Sequence, residues 1–364
     1  MIKILFCGLK YEYGKINSGL SFEYQNFYEV LKRIPGLEVG GFFIDEEIKK
    51  SGRDEANFLL KKNVLDTKPD LLFCFLFTEE LKKETIEYIT KKTSTKTFNW
   101  FADDHWRLPV YSRFWAPLFT AVGTTDSEAP EKYRRLGIKN VIKTQWAANT
   151  FLYKPQSNVK GPSYAEATVG KQLSNVYNIS FVGKNYGNRG ECIEFLKKQS
   201  LPAEGYGKNW PSGIVDFPKM LEIFSNSKIN LNFTESYFSW PKQLAKLFIK
   251  KESGKYAPNL QSPISNLQSL MGARRRQIKA RTFEIPACGG FLLTGSADNL
   301  EEYYVPGKEI VIFKNKAELA EKCRYYLDNE EQLAAIAKAG FKRTVKEHTY
   351  EKRFREIFQI MGLM

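Results

Sequence analysis

The chain has 364 residues, with 55 Lys and Arg against 41 Asp and Glu; at 43% hydrophobic and 26% charged it is globular in composition, which excludes a disordered or fibrous chain. Its length is more than one core needs and predicts about two domains facing a cleft. The formal charge of +14 asks for an anionic partner, yet no zinc-finger spacing, RNA-binding aromatic signature or basic zipper is present, so nucleic acid is excluded, and two histidines are too few for a histidine-rich metal site.

In chain order, IKILFCG reads as a strand, followed by a helix from Phe22 to Ile34, the strand VGGFFID, a helix near 54–66 and the strand PDLLFCFLF. The strand TKTFNWFAD comes next, then a helix over 109–118, TAVGTTD, a helix over 129–136 and VIKTQWA. Alternating strands and helices predict a parallel sheet covered on both faces. The stretch 153–177 is rich in Pro, Gly, Ser and Asn and reads as an interdomain linker.

A second series then begins with YNISFVGK, a helix over 190–199, a strand near 202–206, a helix over 217–226 and KINLNF. After a long insert at about 235–278 come GGFLLT, EIVIF and a helix over 316–328. The expected division is a first domain over 1–152, a second over 178–345 that includes the insert, and a final helix over 346–364 with its stripe at Tyr350, Phe354, Ile357 and Phe358. From Lys242 to Arg281 there are ten cations and one acid, Glu252, interleaved with Trp240, Leu244, Leu247 and Phe248. That stripe suits either an anionic membrane surface or packing on the second domain.

Five scattered cysteines without a C-x-x-C pair fit reduced, buried thiols. The N-terminal apolar stretch is too short for a signal peptide, and no run approaches the ~18 residues of a membrane span. A cytoplasmic protein is expected, with peripheral contact at the inner membrane face left open.

Ligands of an open parallel sheet bind beyond the carboxyl ends of its strands. The turn GKNYGNRG, residues 183–190, has Gly183 to free the backbone, cations at Lys184 and Arg189, and a helix start, a combination suited to a diphosphate. The other reading is a solvated basic turn. In RTFEIPACGGFLLTG, Arg281 and Glu284 open a short helix, Glu284 is able to accept both hydrogens of a ribose diol, and Gly289 and Gly290 let the chain turn beside a nucleotide. Asp103, Asp104 and His105 end a strand of the first domain; they suit general-base and donor-holding roles, or they cap the helix near Pro109.

The run R-x-F-E-I-P-A-C-G-G-F-L-L-T resembles the donor-site motif of the CgeB-like (spore maturation protein) glycosyltransferases, relatives of the group 1 glycosyltransferases. Further stretches look similar: FVGKNYGNRG, EGYGKNW, SKINLNF, PGKEIVIF and EHTYEKRF in the second half, and WFADDHW and TTDSEAPEKYRRLG in the first. The resemblance implies an α/β fold of GT-B type, two Rossmann-like doubly wound domains with a C-terminal helix crossing back to the first. It places Lys184 and Arg189 on the donor diphosphate, with the family's order of Arg and Lys exchanged, and Glu284 on the ribose. Where many relatives have a second glutamate, this chain has Arg276; Glu235 is a spatial substitute for it.

The expected activity is transfer of a sugar from a nucleotide diphosphate sugar, the co-substrate, to the hydroxyl of a saccharide or other acceptor, with an anionic or lipid-linked acceptor as one option. Neither a metal nor another cofactor is expected, because fixed cations and a helix N-terminus neutralise the leaving diphosphate. The alternative is a GT-B protein that binds a nucleotide sugar or polysaccharide without turnover. A Rossmann dehydrogenase would need G-x-G-x-x-G after its first strand, which CGLKYEYG lacks, and a nucleotide-sugar epimerase would need no acceptor.

Overall fold

The computed structural model describes residues 1–156, 177–235, 249–252, 255–258, 263–272 and 275–364, with only the backbone for those between 249 and 266. Most of the expected linker and the apolar stripe at Trp240, Leu244, Leu247 and Phe248 lie outside the described residues. The chain folds as two compact units: Met1–Gln145 with Leu244–Gly272 and Tyr350–Met364, and Trp146–Gln243 with Ala273–Thr349. Part of the insert thus groups with the first unit, whereas the sequence reading kept it with the second.

The first unit is built on a six-stranded sheet of order β2-β1-β3-β4-β5-β6, from β1 (Ile2–Gly8), β2 (Leu37–Phe43), β3 (Leu71–Cys74), β4 (Lys96–Phe101), β5 (Ala121–Thr124) and β6 (Val141–Lys143). Every pairing is parallel. Helices cover both faces, so the inner strand β3, LLFC, is apolar throughout and every residue of it is buried. The chain goes from β1 to β2 on one side and then to β3 on the other, which puts the switch point between the ends of β1 and β3.

The C-terminal helix Tyr350–Ile360 returns to this unit. Its expected stripe, Tyr350, Phe354, Ile357 and Phe358, is fully buried, and Phe27 meets Tyr350 at 5.0 Å and Phe354 at 5.4 Å between ring centroids. Burying each such side chain contributes about 1.5–3 kcal/mol. The insert adds an antiparallel pair, Ile249–Glu252 with Lys255–Pro258, and a helix Pro263–Gly272 that packs on the segment from Asp104 to Ser112.

The second unit has a five-stranded parallel sheet of order β13-β12-β9-β7-β8, from β7 (Tyr177–Val182), β8 (Ala203–Tyr206), β9 (Ser227–Asn232), β12 (Leu292–Gly295) and β13 (Val311–Phe313). Its switch point lies between β7 and β9. The helices Phe217–Asn226 and Lys316–Asp328 match the expected bounds, because Asp216 and Asn315 cap them by accepting from the amides of Lys219 and Glu318. Among the described residues three helices of ten residues or more went unread, Lys83–Lys92, Pro263–Gly272 and Glu330–Glu347, and Ile44–Thr67 starts ten residues before the expected 54. A break at Gly52 hides its first turns.

Candidate functional site

At the carboxyl end of β7 the chain turns through Gly183–Asn188 into the Arg189–Lys198 helix, with Asn188 at the N-cap position. The neighbouring turn after β8 locks this one in place: the Gly183 amide donates to Tyr206 O at 2.8 Å, and Trp210 Nε1 donates to Gly183 O at 2.7 Å. Gly207, at φ 128°, permits the close approach, since a Cβ there would lie 2.6 Å from Gly183 O.

The two cations of this turn have different surroundings. Arg189 is 8% exposed; it donates to Lys184 O at 3.0 Å and to Tyr186 Oη at 2.9 Å, and its guanidinium lies 3.9 Å from the Tyr186 ring centroid. Burial lowers the Arg189 pKa, and the charge of nearby Arg281 adds to the shift. The structure therefore brings Arg189 and Arg281 together. Lys184 is exposed, and its ammonium makes no ion pair among the described residues. It is the cation available to a ligand.

Arg281 and Glu284 form an ion pair in the first turn of the Arg281–Ala287 helix. Glu284 is fully buried, with one oxygen on Arg281 Nη1; the other, Oε1, has no hydrogen bond of ordinary geometry among the described residues, although the buried Tyr153 hydroxyl interacts with this carboxylate. A ribose hydroxyl reaching Oε1 would satisfy an acceptor that is otherwise costly to bury.

Gly289 and Gly290, expected beside the nucleotide, stand elsewhere. The Arg281–Ala287 helix runs back against the strands, so its far end lies at the amino edge of the sheet, about 10 Å along the helix from Arg281 at ~1.5 Å per residue. Gly289 takes the left-handed cap at φ 75°, and a Cβ on Gly290 would fall 2.3 Å from Phe224 O. Their amides donate to Pro286 O and Ile285 O. The pair ends a helix and lets it pack closely; it does not line the ligand edge.

A second group adjoins the turn. Asn188 Nδ2 donates to Glu235 Oε2 at 2.6 Å, Arg276 Nη2 donates to Glu235 Oε1 at 2.6 Å, and Arg276 Nη1 donates to Ser296 Oγ at 2.7 Å. Glu235 does not replace the missing glutamate as a free carboxylate, because both its oxygens are taken. Asn188, Glu235 and Arg276 border a cavity of about 250 Å³ at the ends of β9, β12 and β13.

In the first unit, Asp103, Asp104 and His105 follow β4 at the carboxyl edge of the sheet. Asp104 and His105 are buried, at 1% and 4% exposure. Tyr133 Oη donates to Asp104 Oδ2 at 3.0 Å; burial pushes the Asp104 pKa up to about 6, against the pull of the Ser112, Thr124 and Tyr133 hydroxyls. Asp103 is half-buried, caps no helix through its side chain, and makes no ion pair among the described residues. Of the three, it has the carboxylate open to a substrate.

Sequence reasoning missed Glu23, 7% exposed beside Gly8 at the switch-point end of β1. Burial, with the charges of Glu12 and Glu80 adding, raises it to about 8, while its own backbone amide and Ser21 oppose the shift. SFEYQNF has no spacing that marks Glu23 as a buried acid. Among the described residues, no group of three or more His, Cys, Asp or Glu is arranged to hold a metal ion, and no helix is long and apolar enough to cross a membrane.

Comparison with known proteins adds three findings. Residues 189–359 match the family described as glycosyl transferase-like. The chain is similar to spore protein CgeB of Bacillus subtilis (strain 168), 22% identical over 257 residues that cover 70% of this chain and 71% of that protein. Among solved structures it is similar to Alr3699/HepE of Anabaena in complex with UDP, with TM-score 0.57, 12% identity and 100% of both chains covered. It is also similar to sucrose-phosphate synthase of Thermosynechococcus elongatus, with TM-score 0.60, 10% identity, 100% of this chain and 98% of that one covered. The fold is GT-B, two parallel-sheet units with a returning C-terminal helix, and the chain is CgeB-like.

Proposed function

We propose that this protein is a glycosyltransferase that moves a sugar from a nucleotide diphosphate sugar to an acceptor hydroxyl, in the making of a cell-surface or coat glycan. The observation that carries the reading is the switch point of the second sheet, where Lys184, Arg189 and Arg281 gather at the start of the Arg189–Lys198 helix. Backbone amides and the helix dipole favour an anion there, and exposed Lys184, backed by the positive charge of Arg189 and Arg281, suits a diphosphate. The similar Anabaena protein has been solved with UDP and with UDP-glucose.

In the reaction, the bond from the anomeric carbon to the diphosphate oxygen breaks and a bond to the acceptor oxygen forms, with the acceptor proton passing to a base. Lys184 is placed to take the charge that develops on the diphosphate, and buried Arg189 holds the turn in shape. Oε1 of Glu284 accepts from the ribose. Asp103 is the base in this reading, since Asp104 is tied to Tyr133. With fixed cations in these positions the transfer proceeds without a divalent metal.

Release of nucleoside diphosphate from a panel of nucleotide sugars, with and without chelator, tests this. Release should persist in chelator and fall roughly 10²–10⁴-fold in Asp103→Asn, with donor binding kept. Binding of the nucleotide sugar with no release from any donor would favour the non-catalytic alternative.

A further inference from the structure

We infer that the sugar this chain transfers carries a negative charge, held in the cavity between Arg276 and Lys314; the inference rests on the donor-site reading above and names the class of its sugar. The cavity, about 250 Å³, is bordered by Asn188, Glu235, Arg276, Lys314, Asn315 and Lys316. That volume is below the ~300 Å³ at which pockets for drug-sized ligands begin, so it suits a single ring and not a whole nucleotide. Asn188 stands at the N-cap position of the helix that starts at Arg189, so the cavity opens beside the proposed diphosphate turn.

Hydrogen-bonding capacity then decides what kind of ring fits. A neutral sugar presents hydroxyls that both donate and accept, and so needs acceptors in the wall. Among the described residues the one carboxylate on this wall is Glu235, and its two oxygens already accept from Arg276 and Asn188 at 2.6 Å each. The donors are in surplus. Arg276 is held in orientation by Glu235 and Ser296, and Lys316 is paired with Glu191 at 2.7 Å. The Lys314 ammonium makes no ion pair among the described residues and is exposed at the cavity.

Two helices also begin here. Arg189–Lys198, of 10 residues, and Lys316–Asp328, of 13, both direct the positive ends of their dipoles at this edge. A wall on which the cations Arg276, Lys314 and Lys316 outnumber the carboxylate, itself already bonded to Arg276 and Asn188, matches a carboxylate on the transferred ring, as in a hexuronate.

The test is calorimetric titration of the full chain with UDP, UDP-glucose and UDP-glucuronate, and with GDP, GDP-mannose and GDP-mannuronate. The acidic sugar of the pair with the matching base should bind about tenfold tighter than its neutral counterpart. Lys314→Ala alters an exposed side chain and should leave the fold intact; it should remove that difference while the nucleoside diphosphate binds as before. Arg276→Gln should do the same, and Arg276→Lys should restore part of it. Equal binding of acidic and neutral sugars, with the diphosphate still bound, overturns the inference and leaves the donor site standing. If none of UDP, GDP, ADP and dTDP binds, the donor-site reading fails and the inference falls with it.

Discussion

Glu23 is a buried acid that has no place in the sequence patterns, and it makes the stability of the first unit depend on pH. Its pKa rises from an ordinary 4.5 to about 8, with burial as the main cause and Glu12 and Glu80 adding to it. The folded chain therefore keeps a proton that the unfolded chain has lost. Stability from this group is full below about pH 4.5, falls as pH rises towards 8, and is lost above that. Glu23→Gln keeps the neutral form at every pH. Its melting temperature should match wild type near pH 5 and exceed it near pH 8.5, as read by thermal denaturation across that range. Parallel curves for the two proteins would show that Glu23 ionises freely.

At the scale of elements, the returning helix Tyr350–Ile360 supplies a large share of the aromatic core around Phe27. Phe354 is fully buried against Phe27, Phe73 and Trp100, so Phe354→Ala should cost about 3–5 kcal/mol and lower the denaturant midpoint of the first unit. A loss under about 1 kcal/mol would mean that the helix end frays without consequence.

The returning helix was legible because its stripe repeats at helical spacing, and the strands were legible as short apolar runs bounded by turns. Lys83–Lys92 was not, since Ile86 and Ile89 are its only large buried residues among charged neighbours. The cations of the candidate site were legible too, through the turn that links a strand to a helix. The division of labour among them was not. That Arg189 braces the turn while Lys184 stays exposed depends on Tyr186 and Lys184 O, contacts made only when the turn folds back on itself. Gly289 and Gly290 were misplaced because a glycine pair signals a turn without telling at which edge of the sheet the turn lies.

For the whole molecule, the +14 charge and the basic insert bear on the acceptor. The insert helix Pro263–Gly272 packs on Asp104–Ser112, next to Asp103, the proposed base. That helix, PISNLQSLMG, has no charged residue, so a phosphorylated or lipid-linked saccharide would be drawn by the insert's Lys246, Lys250, Lys251 and Lys255. Replacing 244–272 with a short flexible linker should leave nucleoside diphosphate affinity unchanged, since Lys184, Arg281 and Glu284 lie in the second unit. Transfer to an anionic acceptor should fall, and in the intact chain it should weaken as salt rises, because such attraction is screened over about 8–10 Å. Normal transfer at every salt concentration would assign the charge to another partner.

The central claim is that the second unit holds a nucleoside diphosphate at Lys184. Titration calorimetry of the wild-type chain and of Lys184→Ala against UDP, GDP, ADP and dTDP tests it most directly. One of the four should bind wild type, and the affinity should drop about tenfold in Lys184→Ala, with a weaker salt dependence as the charge is lost. Binding that is unchanged by the substitution, or absent for all four diphosphates, would contradict the account.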